Sequence, residues 1–489
     1  MDTHSKKLLL AIVAFACLAI FQTFWGEKIS VNGGLGWDGQ RYAVIIRDMD
    51  YMLKHEQMDN YHLKRISTLW IINNSLKVLQ IPVSHSSIVW AFAMFNLFCY
   101  LSSLILSYFI ARKTNPNAFI LVVMLFGNIY LSKLFFFYPV LTDSLAFLLS
   151  TMMIWFWYQN HKILLFLISF IAFFVYPILP FIGFVLCLFP FSAHFNMGNN
   201  FSKPLYSIAI LTAVGSVAVI SCYLSYIYLP SNTSQLLSSS SFIQENLNLR
   251  AFNLFTLLLL PAAFIILFIV FIARKISIDY RNFLKIDDLV GTAFYLFICS
   301  LIYILVENIS PRIAPTISKY SANSYLQSLL LNSSHLPFKN WVSHIQFYGF
   351  IVFIPILILV QFYRNLMQLN IGLFIVLLLF IIQSIDCESR HLFIYLPFIL
   401  FASLFYLPNF KFNIGSLGLL VIIFFSKFWI QIGQLTETRL VPFGEWQRFF
   451  KYHGPWMSEE AYLAAIPSTL VMIGLFVWYA RKINTNTMD

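Results

Sequence analysis

Apolar runs of membrane-spanning length recur along the chain, separated by polar connections that carry most of its lysines and arginines. A helix needs about 20 apolar residues to cross a hydrocarbon core. Such runs occupy residues 7–25, 88–111, 118–136, 140–158, 206–228, 252–273, 289–306, 347–363, 370–386, 391–407, 414–430 and 463–480. A longer apolar stretch, 163–191, contains Pro177 and Pro180 and reads as two short helices meeting at a proline turn, because proline interrupts the helical hydrogen-bond ladder. The pattern predicts an all-α polytopic integral membrane protein with about 14 crossings, within a range of about 12–14. No internal repeat and no soluble domain is visible, so residues 1–489 read as a single transmembrane domain.

The basic residues orient these spans. With the N-terminus inside, the cytoplasmic side receives Lys6-Lys7, Arg112-Lys113, His161-Lys162, Lys203, Arg274-Lys275, Arg364, Lys411 and Arg481-Lys482. That is a positive-inside distribution, and it places both termini in the cytoplasm. Lys6 and Lys7 before a long apolar run with no small-residue cleavage site read as a retained signal anchor. The substantial polar loops, 26–87, 229–251, 307–346 and 431–462, then share the opposite face. In the first of them, Tyr42, Ile45, Ile46, Met49 and Leu53 recur at helical spacing between Gly39 and Leu53. This predicts an amphipathic juxtamembrane helix lying flat at the interface, with a second from Ser67 to Leu79.

Composition agrees. Hydrophobic residues make up 60% and charged residues 10% of the 489, with mean hydropathy +0.77, whereas a soluble domain carries about a quarter charged residues. The net charge of +11 lies in short clusters between spans, the pattern of topology determinants. It is not the continuous basic stripe that a nucleic-acid partner requires. The six cysteines show neither Cys-x-x-Cys nor a His/Cys group at metal spacing. The Phe-, Ile- and Asn-rich composition points to a bacterial inner membrane, with the large loops periplasmic. Sequons at Asn73, Asn232, Asn308 and Asn332 fall on that outer side.

In so apolar a chain, ionisable groups near the membrane stand out as candidate chemistry. Asp38, in Gly36-Trp37-Asp38-Gly39-Gln40-Arg41-Tyr42, follows the first span. Arg65 ends Tyr61-His62-Leu63-Lys64-Arg65, and Asp143 in Thr142-Asp143-Ser144-Leu145 stands at the outer end of a span. Arg390 and His391 occupy a short outer turn, beside Asp386 and Glu388, which read as solvated loop carboxylates. Carboxylates with Arg and His at a membrane surface suit phosphate recognition and general base catalysis. Blander readings stand beside these. Asp38 suits a helix cap, Arg65 a headgroup anchor, Arg390-His391 an interfacial anchor pair, and Asp143 a buried ion-pair partner.

The Trp37-Asp38-Gly39-x-x-Tyr42 segment resembles the first-loop signature of the GT-C superfamily of polytopic membrane glycosyltransferases. The likeness is to bacterial members and, more distantly, to the GPI mannosyltransferase that adds the second mannose. Tyr61 to Arg65, Thr142 to Leu145 and Arg390 through Pro397 echo later motifs of that superfamily in the same order, over about residues 1–400. The Glu and Phe-Phe-Pro features of the GPI enzyme are missing, which sets that specific activity aside. The resemblance implies transfer of a sugar from a polyprenyl-phosphate carrier to a lipid, glycan or protein acceptor at the non-cytoplasmic face. Membrane lipids would surround the site. In that scheme Asp38 is the general base, Asp143 assists catalysis, and Arg65, Arg390, His391, Tyr42 and Tyr61 bind substrate. Asp48-Met49-Asp50 has the Asp-x-Asp form of metal-assisted sugar transfer. Side chains two positions apart on a helix diverge, so these two carboxylates are weak candidates and a divalent cation is the one cofactor left open. Two alternatives remain: a flippase or transporter of lipid-linked oligosaccharide, and an O-antigen-type saccharide polymerase using the 431–462 loop with Glu437, Arg439, Glu445, Arg448 and His453.

Overall fold

A computed structural model describes most of residues 3–193, then 253–259, a few positions between 293 and 301, and most of 333–358, 369–406 and 457–485. The spans expected at 206–228 and 414–430, most of those expected at 252–273 and 289–306, and the loop 431–462 almost entirely, lie outside the described residues. Those described are all-helical. In chain order the helices are α1 (Thr3–Trp25), α2 (Asp38–Arg47), α3 (Met49–Lys54), α4 (Asn60–Leu63), α5 (Ile66–Val78), α6 (His85–Thr114) and α7 (Ala118–Phe126). They continue with α8 (Asp143–Tyr158), α9 (Lys162–Ala172), α10 (Leu179–Leu188), α11 (Lys339–Tyr348), α12 (Ile371–Gln383), α13 (Leu396–Tyr406) and α14 (Glu459–Thr485).

Four helical segments among the described residues are long and apolar enough to cross a membrane: Ser5–Trp25, His85–Arg112, Lys339–Ile358 and Ser389–Tyr406. The last two run from 3-10 helix into α-helix or the reverse, at Gly349–Phe353 and Ser389–Tyr395. α1 and α8 pack on α6, and α13 packs against α8, α7 and α6. This group encloses the larger apolar core, which includes Tyr100, Phe126, Phe147, Phe393 and Phe401.

Two sequence expectations change. The run 118–136 is not one helix. α7 stops at Phe126, and a π-helical turn follows at Lys133–Phe137. Asn128 explains the break, because its side chain accepts from the Leu131 N–H (3.3 Å) and donates to the Phe347 carbonyl (3.3 Å). A side chain that bonds nearby backbone competes with the helical ladder. The expected helix Gly39–Leu53 is likewise two, broken at Asp48. Its inward residues are Tyr42, Ile45, Ile46, Met49 and Met52, while Leu53 is 42% exposed. These residues do not lie against lipid. They form a second core with Leu69, Ile72 and Leu76 of α5, Ile88 and Phe92 of α6, and Val140, so the first loop is a packed cap on the helix group. The proline break inside 163–191 is as expected, with α9 and α10 separated around Pro177 and Pro180 in the first turn of α10.

Candidate functional site

The cap presents Asp38 through a tight turn that the sequence writes in glycine. Asn32, Gly33, Gly34 and Gly36 all have positive φ, and the Asn32 side-chain amide donates to the Gly36 carbonyl at 2.8 Å. Gly36 has φ +69, and a Cβ there would stand 2.1 Å from the Tyr138 ring. Only glycine fits that conformation and that approach. At Gly39 a Cβ would meet Val140 at 2.7 Å. The turn is thus pressed against residues 138–140, and the Asp38 N–H donates to the Tyr138 hydroxyl at 3.0 Å. Asn96 of α6 holds that partner segment in turn: its amide donates to the Phe135 and Pro139 carbonyls (2.9 and 2.8 Å) and its oxygen accepts from Ser144 (2.5 Å). Asp38 begins α2, where the helix dipole favours a negative charge.

Arg390 reaches Asp38 from the far end of the chain. Its guanidinium lies 3.2 Å from the Asp38 carboxylate and 3.1 Å from that of Glu388. The Arg390 and Glu388 side chains are 8% and 15% exposed, whereas that of Asp38 is 35% exposed. Asp38 is therefore the face of this cluster open to a ligand. His391 bonds the buried Asp386 carboxylate through Nδ1 and stands 3.7 Å from Glu388 through Nε2. Asp386 and Glu388 are thus not solvated loop carboxylates. They are enclosed and committed to Arg390 and His391, because two unpaired cations in this wall would be costly.

α11 fixes the segment that carries them. Asn340, Ser343, His344 and Tyr348 line one face of this helix and are fully buried. Asn340 donates to the Ser384 carbonyl (2.8 Å), Ser343 to the Cys387 carbonyl (2.9 Å) and Tyr348 to the Ser389 carbonyl (2.6 Å). His344 bonds the Ser389 hydroxyl through Nδ1 (2.9 Å) and the Ser384 carbonyl through Nε2 (3.0 Å). These four side chains of one helix face position residues 384–389.

Arg65 and Asp143 complete the constellation. Arg65 precedes α5, is 7% exposed, and lies 4.2 Å from the Tyr61 ring centroid and 5.5 Å from that of Tyr176. Its Nε has no acceptor. Burial acts to lower its pKa, but Tyr42, Tyr61, Tyr176 and Asp143 outweigh burial and raise it, so the guanidinium stays charged. Tyr42 lies fully buried behind it, with an unbonded hydroxyl whose pKa burial raises. Asp143, the first residue of α8, is 2% exposed, and its Oδ2 has no hydrogen-bond partner. Asp143 feels the charges of Arg390, Arg65, His391 and Asp38. A buried carboxylate and a buried guanidinium, each short of hydrogen-bond partners, mark a place shaped for something further.

Asp38, Asp143, Arg65, Arg390, His391, Tyr42 and Tyr61 therefore gather in one region. Tyr176 was not singled out in the sequence; its place in the turn between α9 and α10, after an otherwise apolar run, gives no chemical signal. Asp48 and Asp50 stand apart on the exposed side of the cap, with Asp50 2.7 Å from Lys77. Among the described residues no group of three or more His, Cys, Asp or Glu side chains converges as cation ligands. Asn73 is buried and donates to the Ile46 carbonyl, which removes it as an acceptor of glycan in the folded chain. Comparison of the chain with protein-family models, with curated proteins and with solved structures found no match.

Proposed function

We propose that the protein is a membrane glycosyltransferase of GT-C type, which moves a sugar from a polyprenyl-phosphate donor to a lipid, glycan or protein acceptor. One observation carries this reading. A half-exposed carboxylate, Asp38, is oriented by Arg390 beside a buried guanidinium, Arg65, that has no carboxylate within ion-pair distance among the described residues. In the proposed step the acceptor oxygen attacks the anomeric carbon while Asp38 takes its proton. The bond from that carbon to the phosphate oxygen breaks, its electron pair passes to the phosphate, and the anomeric centre inverts. Arg390 is already balanced by Asp38 and Glu388. Arg65 therefore supplies the uncommitted positive charge for the departing lipid phosphate. Asp143 orients the acceptor hydroxyl, and His391 holds Glu388 and Asp386 in register.

The proposal includes about 14 crossings, cytoplasmic termini, a bacterial inner membrane and a periplasmic active face. A flippase would spread charged groups along a path through the spans; here Asp38, Asp386, Glu388, Arg390 and His391 gather in one cluster. The test is transfer of labelled sugar from a panel of polyprenyl-phosphate sugars to membrane lipid extract by the purified protein in proteoliposomes. Labelled product above that of protein-free vesicles supports the reading. Transbilayer movement of the donor without transfer would replace it with the transport reading.

A further inference from the structure

We infer that a groove between α11 and α14, on the side of α11 away from Arg390, is a binding site for one hydrocarbon chain of a bilayer lipid. Its volume is about 480 Å3, within the range of ligand pockets. Trp341, Ile345 and Phe353 form one wall, and Leu470, Ile473 and Phe476 the other. Three contacts bridge the two walls at the edges of the groove. Tyr462 donates to the Pro337 carbonyl at 2.6 Å, Gln346 to Thr469 at 3.1 Å, and Phe353 stacks on Phe476 at 4.8 Å. With the walls so joined the space between them is left unfilled, whereas interiors are otherwise close-packed.

The chemistry of the lining selects the occupant. Its side chains with a polar atom are Thr256, Trp341, Tyr462 and Thr469. Thr256 donates to the Asn253 carbonyl (2.8 Å) and accepts from Phe338 N–H (3.1 Å). Tyr462 and Thr469 are engaged as above. A space this size equals about 16 water volumes at about 30 Å3 each, and each buried water needs 2–4 polar partners. The lining leaves too few for such a cluster, nor does it offer a charge for a headgroup. The groove opens beside Leu470, Ile473 and Val477, which are 61%, 38% and 41% exposed on an apolar helix. On a chain this hydrophobic that flank faces lipid, so an acyl chain enters sideways while its headgroup stays outside. The opposite face of α11 holds residues 384–389, so the bound chain braces the helix that positions Arg390.

This site stands independently of any transfer reaction and is tested without one. The protein is reconstituted with phosphatidylcholine brominated on its acyl chains, and Trp341 fluorescence is taken as the difference between wild type and Trp341→Phe. Quenching of Trp341 is expected, and in Ile473→Phe/Val477→Phe it should be roughly twofold weaker, since added ring atoms take up the chain's space. If that double variant does not fold, Val477→Phe alone, at the exposed mouth, carries the same comparison. Two results overturn the site. Unquenched Trp341 would mean that protein, either another segment of this chain or a second copy, fills the groove. Quenching unchanged by the filling substitutions would mean ordinary contact with surrounding lipid.

Discussion

Asp38 and Arg390 lie 352 positions apart in the chain and meet at 3.2 Å. Arg390 is the buried partner and Asp38 the accessible one, so the two ends of this contact differ in what they do. Replacing Arg390 with Met takes from the enclosed Glu388 carboxylate its nearer cation, at 3.1 Å, and leaves only His391, at 3.7 Å. That substitution is expected to destabilise the protein by about 3 kcal/mol and to lower its melting temperature in detergent. Asp38→Asn keeps the shape and exposes no buried charge, so its melting temperature should stay near that of wild type. Equal destabilisation by both would show that the contact is chiefly structural.

The glycine turn makes a separate prediction. Gly36→Ala must place a methyl 2.1 Å from the Tyr138 ring, in a backbone conformation of φ +69. Strain of that kind costs about 1–3 kcal/mol, and relief would move Tyr138 away from the Asp38 N–H it accepts from. Thermal unfolding should show the loss, and transfer should fall with it. Gly474, where an added Cβ meets nothing within 4 Å, is the control, and Gly474→Ala should leave the melting temperature within about 1 kcal/mol equivalent of wild type.

If Arg65 holds the lipid phosphate as proposed, it sets the pH behaviour of that binding. Its pKa is raised in the folded chain, so it remains a cation throughout any workable range, and the titrating group is the ligand. A phosphate monoester gains its second charge near pH 6. Binding of a polyprenyl phosphate should therefore strengthen as pH rises through about 6 and then hold level to about pH 10. Arg65→Lys keeps charge but not the planar fork, and is expected to weaken binding about tenfold; Arg65→Met should abolish it. Calorimetric titration at several pH values checks both, and affinity falling between pH 7 and 10 would implicate another cation.

The clamp from α11 predicts an effect at a distance. His344→Ala removes two buried hydrogen bonds to residues 384–389, while Asn340 and Ser343 still bond the Ser384 carbonyl and the Ser389 hydroxyl, so the cost is about 1–2 kcal/mol. Hydrogen exchange across residues 384–391 should rise more than across α6. His344→Gln, which can still donate to one of the two oxygens, should restore part of the protection. Uniform loosening of the whole protein would instead mean that His344 supports the core in general.

How much of this was legible in the sequence depends on the kind of information each residue carries. Asp38 and its glycines announce a tight turn by local rules, and Asp143 and Arg65 stand out because charges are rare in so apolar a chain. The residues around 386–391 misled for the same reason. A charge-dense segment between apolar runs reads as solvated, yet Asp386 and Glu388 are enclosed by partners within a few positions and by α11, more than 40 residues earlier in the chain. Sequence gives no distance between such segments. The polar face of α11, Asn340, Ser343, His344 and Tyr348, is spaced for one side of a helix, but only the fold shows that it meets residues 384–389. Tyr176 was invisible because an aromatic in an apolar run carries no sign of the guanidinium that will pack on it. The interruption after Phe126 escaped hydropathy because Asn128 bonds the backbone of Phe347, more than 200 residues away.

The central claim is that Asp38 is the proton acceptor in sugar transfer. Wild type and Asp38→Asn, reconstituted at equal density and matched in melting temperature, should be compared for label passed from polyprenyl-phosphate sugars to acceptor lipid. A loss of about 10²-fold or more in the variant, with polyprenyl-phosphate binding retained through Arg65, is the expected result. Equal transfer by the two proteins would contradict the claim and move the role to Asp143.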